Sequence, residues 1–414
     1  MIAKFLKSSI IVTGVTAIVM ILQLIIANDM SVDKELLSKY VYVDFIILAS
    51  TSLAIFGCEQ GYINLIHENE GVVPLKSLVL SSINFSFLLF PIFIVFSSFS
   101  LSIHDYFLMF ISGFSIMINQ NFVYYLRYNQ RYLVSSLCER VFWLFFVILY
   151  LLFDVELIVS VALSTLFAST FSIITISFYR QNTKLCFFSK SIRLEDKSIK
   201  EGAYITATSY LTMLYERLDQ FLISIFISPA VLASYFIVQK LSFLNKFITR
   251  SMYQVLYPML KKSNDIIEMA INTNVMLSFF FSILMIFGGE FFLKIFNVDA
   301  NEYHLVLILL SISVFISSLN NTLYQFINHK GASNLYFKNS LILVTFQLAL
   351  VLPLMYFYSY EGIAFSRIIV SSIGAYRACR DFNQVAGSQE LSLKPFLIML
   401  TFLFISGGFI EIIN

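Results

Sequence analysis

Apolar runs of about twenty residues, broken by short polar intervals, recur along most of this 414-residue chain. The hydrocarbon core of a bilayer is about 30 Å thick, which a helix of roughly twenty apolar residues crosses. Runs of that kind lie at 8–28, 37–57, 77–97, 106–126, 135–153 and 157–179. They resume after a polar interval at 203–227, 231–251, 269–288, 305–326, 339–357 and 362–382. The pattern predicts about twelve transmembrane helices and no soluble domain. A further apolar stretch at 396–412 is short and has nothing basic after it. It reads as a thirteenth span or as an interfacial segment, with the balance toward a span. The first run carries Lys4 and Lys7 ahead of it and passes into Asn28-Asp29 without a small-residue cleavage site. It is therefore expected to stay as a helix rather than to be removed as a signal peptide.

Composition agrees with lipid as the solvent. Hydrophobic residues make up 58% of the chain and charged residues 13%, whereas soluble domains carry about 25% charged residues. The net charge of +2 is too small to argue for nucleic acid as a partner. The four cysteines (Cys58, Cys138, Cys186 and Cys379) show no metal or redox spacing and are expected to be free thiols. The four histidines (His67, His104, His304 and His329) fall in or near loops and form no metal-spaced pair. With no Gly-rich phosphate loop and no catalytic constellation, the chain does not read as an enzyme, and no cofactor is expected.

Lys and Arg set the orientation. The N-terminal segment and the even-numbered loops hold nineteen of the 27 basic residues, against three (Lys34, Lys39 and Lys294) in the odd-numbered loops. An asymmetry of that size places the N-terminus in the cytoplasm. The longest charged interval, Arg180 to Glu201, separates six spans from six. It reads either as a basic linker lying on the anionic leaflet or simply as a positive-inside loop. The expected organisation is an N-terminal six-helix lobe at 1–180, a cytoplasmic linker at 181–202, a C-terminal six-helix lobe at 203–382 and a tail at 383–414. The fourth span of each half ends alike: Asn119-Gln120-Asn121 runs to Tyr125 in one, Asn320-Asn321-Thr322 to Phe326 in the other. The 201-residue separation approximates the 195 between the starts of the first and seventh spans, as a parallel duplication predicts.

Five basic residues remain inside spans: Arg140, Arg217, Lys240, Lys246 and Arg367. A charge at the bilayer centre costs about 2.5–3.5 kcal/mol on insertion scales, so it tends to face a cavity or a partner. On the seventh span Thr208, Thr212, Glu216 and Asp219 share a stripe, with Arg217 at its shoulder. On the eighth, Gln239, Lys246 and Arg250 do the same, with Lys240 adjacent. The first span matches them with Ser9, Thr13, Thr16 and Gln23. Counting from Pro229 between the two spans, Asp219, Lys240 and Arg217 fall ten to twelve residues deep, within about one helical turn. Two readings stand: a neutral Asp219–Lys240 pair that is structural, or a layer whose surplus positive charge draws an anionic substrate. Arg140 and Arg367, near span ends, are expected to snorkel to water. Asp44, near the outer end of the second span, reads as a structural carboxylate and also as a candidate for ion coupling.

The stretch Asp219-x3-Ile223, Ser228, Tyr235, Lys240-Leu241 and Tyr257-Pro258 resembles the region after the lobe linker in polysaccharide-repeat-unit flippases, the Wzx-type O-antigen translocases. Asn328-His-Lys-Gly331 resembles the end of their tenth helix. Tyr360-Glu-Gly-Ile-Ala364 is similar to the Tyr-Gly-x-x-Gly-Ala start of their twelfth, although Glu361 intervenes and the second Gly is absent. The resemblance implies the fold of the multidrug/oligosaccharidyl-lipid/polysaccharide (MOP) exporter superfamily, two six-helix bundles around a central cleft that opens alternately to either side. It implies a bacterial inner-membrane flippase that carries an undecaprenyl-diphosphate-linked oligosaccharide to the periplasmic leaflet. It also implies a cationic site in which Arg217, Lys240, Lys246 and Arg250 hold the diphosphate, and ion coupling through Glu216, Asp219 or Asp44. A polysaccharide polymerase and a chain-length regulator would be its partners, beside membrane lipids. The rival readings are a drug or small-cation antiporter of the same superfamily, a longer peptidoglycan-precursor flippase, and a polysaccharide polymerase or ligase. The antiporter would favour acidic residues in the cleft. The enzyme would need a large periplasmic loop, and the longest odd-numbered interval, at about 290–304, is too small for one.

Overall fold

The computed structural model describes residues 2–30, parts of 33–47, 102–128, 131–180, 196–244 with 246, 265–386 and 393–413. Among these the regular structure is entirely helical. The helices are α1 (Ile2–Met30), α2 (Ile103–Tyr128), α3 (Tyr132–Val147), α4 (Leu157–Arg180) and α5 (Asp196–Phe226). They continue as α6 (Pro229–Ser242), α7 (Asp265–Ile295), α8 (Ala300–His329), α9 (Ser333–Ala386) and α10 (Lys394–Ile413). Five helical stretches are long and apolar enough to cross a membrane: Leu133–Leu152, Leu157–Phe178, Ala270–Ile295, Ala300–Asn328 and Ser333–Ala386. The chain is thus an all-helical, multi-pass membrane protein. The third expected span and most of the second lie outside the described residues.

The caps follow the sequence closely. Ser228 accepts from the Val231 amide at 3.2 Å, and Pro229, which has no amide hydrogen to leave unpaired, opens α6 behind it. Asp299 caps α8 through the Asn301 amide at 2.9 Å. That helix stops at Gly331, whose φ of 77° turns the chain and lets its amide bond the Asn328 carbonyl at 3.0 Å. The eleventh and twelfth spans form one helical run broken only at Ser359, where φ is 53°. Gln347 in the first limb bonds Ser366 in the second at 2.9 Å, and Arg377 bonds back to Asn339 at 3.1 Å. The two limbs are therefore antiparallel neighbours. A Cβ at Gly362 would overlap the Leu354 carbonyl, so the reversal requires a glycine there.

The chain divides into two compact units. One comprises Leu6–Gln23 and Lys39–Met213, in which α2, α3 and α4 pack on one another. The other comprises Met1–Phe5, Leu24–Ser38 and Leu214–Asn414. Here α8 is the hub. It packs against α6, α7, α9 and α10, and every residue from Leu310 to Asn320 is buried. By contrast α7 exposes Phe280, Phe287 and Phe291, which suits a surface that faces lipid tails. The stretch 396–412 is helical, and α10, at 20 residues, has the length of a bilayer crossing.

The internal duplication is visible in the hydrogen bonds. In the first half the Asn119 amide donates to the carbonyl of Cys138, nineteen residues on, at 3.1 Å, and its oxygen accepts from Ser172. In the second half Asn320 accepts from Asn339, again nineteen residues on, at 3.4 Å, while Gly374 lies against it. Ser169 reaches back 54 residues to the carbonyl of Ser115, and Ser371 reaches back 54 to the hydroxyl of Ser317. Each pair recurs 201 or 202 residues later on the corresponding helices. Such bonds hold helices together where lipid offers no alternative partner, at about 0.6–2 kcal/mol each.

Candidate functional site

One buried polar network dominates the second unit, and α5 organises it. On its polar stripe Thr208 and Asp219 are buried and Glu216 is half-buried, because in a membrane helix a polar stripe must find partners inside the protein. Asp219 is fully buried and pairs with the guanidinium of Arg367, from the second limb of α9. Tyr235 of α6 donates to the same carboxylate at 2.6 Å, and Gln347 approaches its other oxygen at 3.5 Å. Arg367 directs Nη2 to the Glu216 carbonyl at 2.7 Å and the Tyr215 carbonyl at 3.3 Å. The rings of Tyr215 and Phe243 lie 5.3 and 5.7 Å from the guanidinium carbon. Charge, hydrogen bonds and aromatic faces together offset the cost of burying these ions.

A second ion pair lies one turn away. Lys246 meets Glu216 at 2.9 Å, with its ammonium 3.9 Å from the centre of the Phe243 ring. A chain of amides links the two helices beside it. Arg217 donates to Gln220 at 2.9 Å, Gln220 to Gln239 at 2.5 Å, and Gln239 to the Glu216 carbonyl at 3.1 Å. Beyond Tyr215, Ser371 joins the cluster to Ser313 and Ser317 of α8.

The structure corrects two expectations about this layer. Asp219 pairs with Arg367, not with Lys240, whose ammonium instead lies 5.1 Å from the ring of Phe236. Arg367 does not snorkel: it is among the largest fully buried side chains of the protein. Depth counted from the hairpin at Pro229 alone does not reveal the pair. Counted from the reversal at Ser359, Arg367 is eight residues deep and Asp219 ten from its own turn, about 12 and 15 Å of helix. That count, available in the sequence, brings them to one level. Arg140 is half-buried, 3.8 Å from Glu139. Asp44 is buried in the other unit, and Arg250 lies outside the described residues. Cys138 and Cys379 are free thiols. His304 is buried and meets the Ile286 carbonyl at 3.2 Å, so it belongs to the packing of α8 on α7. Among the described residues, no group of three His, Cys, Asp or Glu side chains is placed to hold a metal ion.

The fold is that of the MATE transporters. A point mutant of the Vibrio cholerae MATE transporter VcmN superposes with a TM-score of 0.73 over 94% of this chain and 97% of its own, at 13% identity. A MATE transporter in its straight conformation gives 0.72 over 93% and 97%, at 12% identity. An outward-facing multidrug resistance MATE family transporter of the MOP superfamily gives 0.68 over 92% and 97%, at 13% identity. No protein-family model matches the chain, and no curated protein matches it in sequence.

Proposed function

We propose that this chain is an exporter of the MOP superfamily that moves an oligosaccharide linked to a polyprenyl diphosphate from the cytoplasmic to the periplasmic leaflet of a bacterial inner membrane. Its N-terminus is then cytoplasmic, and a polymerase and a chain-length regulator act on what it delivers. The observation that carries this reading is the Lys246–Glu216 ion pair, whose side chains are 17% and 29% exposed beside the sealed Asp219–Arg367 pair. A cation in a low-dielectric site that a solute can approach favours an anion. Lys246 is the group assigned to the diphosphate, with Arg217 and Lys240 as further candidates. Asp219, held from three directions, has a structural role, which leaves Glu216 and Asp44 as the candidates for coupling.

The same fold accommodates a drug exporter, as the multidrug resistance relative in structure illustrates. A site built for organic cations, however, would leave a carboxylate uncompensated. Deleting the gene separates the readings. The flippase reading expects loss of one surface polysaccharide, with its lipid-linked repeat unit accumulating in the cytoplasmic leaflet. Accumulation of the unpolymerised unit in the periplasmic leaflet would point to a polymerase. Intact polysaccharide with drug hypersensitivity would point to a drug exporter.

A further inference from the structure

Two ion pairs leave one face of α5 a single turn apart, and they differ in access. The Asp219 and Arg367 side chains are 0% and 2% exposed, and Nη2 of the guanidinium donates to two backbone carbonyls. No solute reaches either partner without parting α5 from α9. The Glu216 and Lys246 side chains are 29% and 17% exposed and meet through one contact at 2.9 Å. The Phe243 ring supports the ammonium without neutralising it. The first pair is a clamp. The second is exchangeable.

We propose that Glu216 determines specificity: it is the resting counter-ion of Lys246 and sets the charge that an anionic substrate group must bring to replace it. This inference rests on the reading of the site as one that binds anions. A monoanion offers Lys246 no more than the carboxylate already there, and it gains nothing by exchange. A diphosphate brings two or more negative charges and several acceptor oxygens, so it outcompetes the carboxylate in both Coulomb attraction and charge-assisted hydrogen bonds. Once displaced, Glu216, 29% exposed, has room to turn away from the ammonium, and the neighbouring Arg217 offsets part of its repulsion for the newcomer. The pair thus admits polyanions and rejects singly charged lipids and metabolites. Arg367 cannot do the same, because its counter-ion is sealed in.

The test uses the full-length protein purified in detergent, with binding followed by thermophoresis. The probes are inorganic diphosphate, a polyprenyl diphosphate, and dimethyl phosphate as a fixed monoanion. Wild type is expected to bind at least one of the diphosphates and to discriminate strongly against dimethyl phosphate. Glu216→Gln should bind dimethyl phosphate about tenfold more tightly than wild type and so narrow the ratio. Glu216→Asp keeps the charge but withdraws it by one methylene; it should give an intermediate ratio, and it decides the matter if Glu216→Gln fails to fold. Lys246→Gln should lose affinity for every anion. Binding of both diphosphates with the same dependence on Glu216 means that the phosphates alone are recognised. Binding of the polyprenyl form alone adds a requirement for the lipid, and the ratio is then read on that form. Wild-type binding of diphosphate with an unchanged ratio in the Glu216 variants overturns the inference and leaves the anion site standing. No binding of either diphosphate to wild type overturns both.

Discussion

Where the C-terminal half places Arg367 and Gln347 around Asp219, the N-terminal half has Thr165 and Phe146 at the positions 202 and 201 residues earlier. Thr165 is buried and bonds within its own helix, to the Ala162 carbonyl at 2.8 Å. Phe146 is buried in an aromatic stack, with the ring of Tyr40 at 6.4 Å, Phe142 at 5.9 Å and Tyr150 at 5.8 Å. At these two matched positions one copy of the duplicated bundle thus carries a hydroxyl and a ring, and the other a guanidinium and an amide. The helix-to-helix bolts are nevertheless shared, since Asn119 and Asn320 occupy matching places. A packed apolar core is commonly at least as stable as a buried ion pair, because it incurs no desolvation. The charges around Asp219 are therefore better explained by what the site does than by stability, and Thr165 and Phe146 show that these two positions can be filled without them.

The largest expected effect comes from breaking the sealed pair. Arg367→Gln strands the Asp219 carboxylate and should cost about 3–5 kcal/mol, read as a lower thermal midpoint and a lower membrane level. The double variant Asp219→Asn with Arg367→Gln should recover most of that loss. Thr165→Val, at the matching place, should cost less than about 1 kcal/mol, as the loss of a minor hydrogen bond does. Equal costs for Arg367→Gln and Thr165→Val would abolish the contrast between the halves.

A smaller effect tests the reversal that delivers Arg367. Gly362→Ala drives a methyl into the Leu354 carbonyl and should destabilise by about 1–3 kcal/mol. Its counterpart, Ser160, already carries a side chain and is buried. Ser160→Ala should therefore change the midpoint little, and a neutral Gly362→Ala would show that the turn at Ser359 is not the constraint.

The smallest effect probes what the halves share. Asn119→Leu and Asn320→Leu should each cost about 1 kcal/mol, as interhelical bonds in membranes do. Asn119 is expected to lose the more, since the bond it donates, at 3.1 Å, is shorter than the 3.4 Å bond that Asn320 accepts. If only one of the two variants were destabilised, the bolts would not be equivalent and the superposition of the halves would lose its support.

The sequence by itself determined the solvent and the scale of the protein, because a run of twenty apolar residues has few homes other than a bilayer. The positions of the spans among the described residues followed from the same runs to within a few residues, and Pro229 marked the turn between the seventh and eighth, although α6 ends at Ser242, short of the expected 251. The Asn119 and Asn320 motifs announced the duplication, and the stripe of Thr208, Glu216 and Asp219 announced an inward face. What the sequence left open was the partner of Asp219. Hydrophobic pattern and depth assign each charge to a layer of the membrane, and several cations share that layer. Which of them meets the carboxylate depends on the order in which helices stand around the bundle and on how each is rotated about its axis. Arg367 lies 148 residues from Asp219 along the chain. Only the packing of α9 against α5 brings them into contact and leaves Lys246 to Glu216, and that packing is set by side-chain fit across the whole bundle rather than by any local signal.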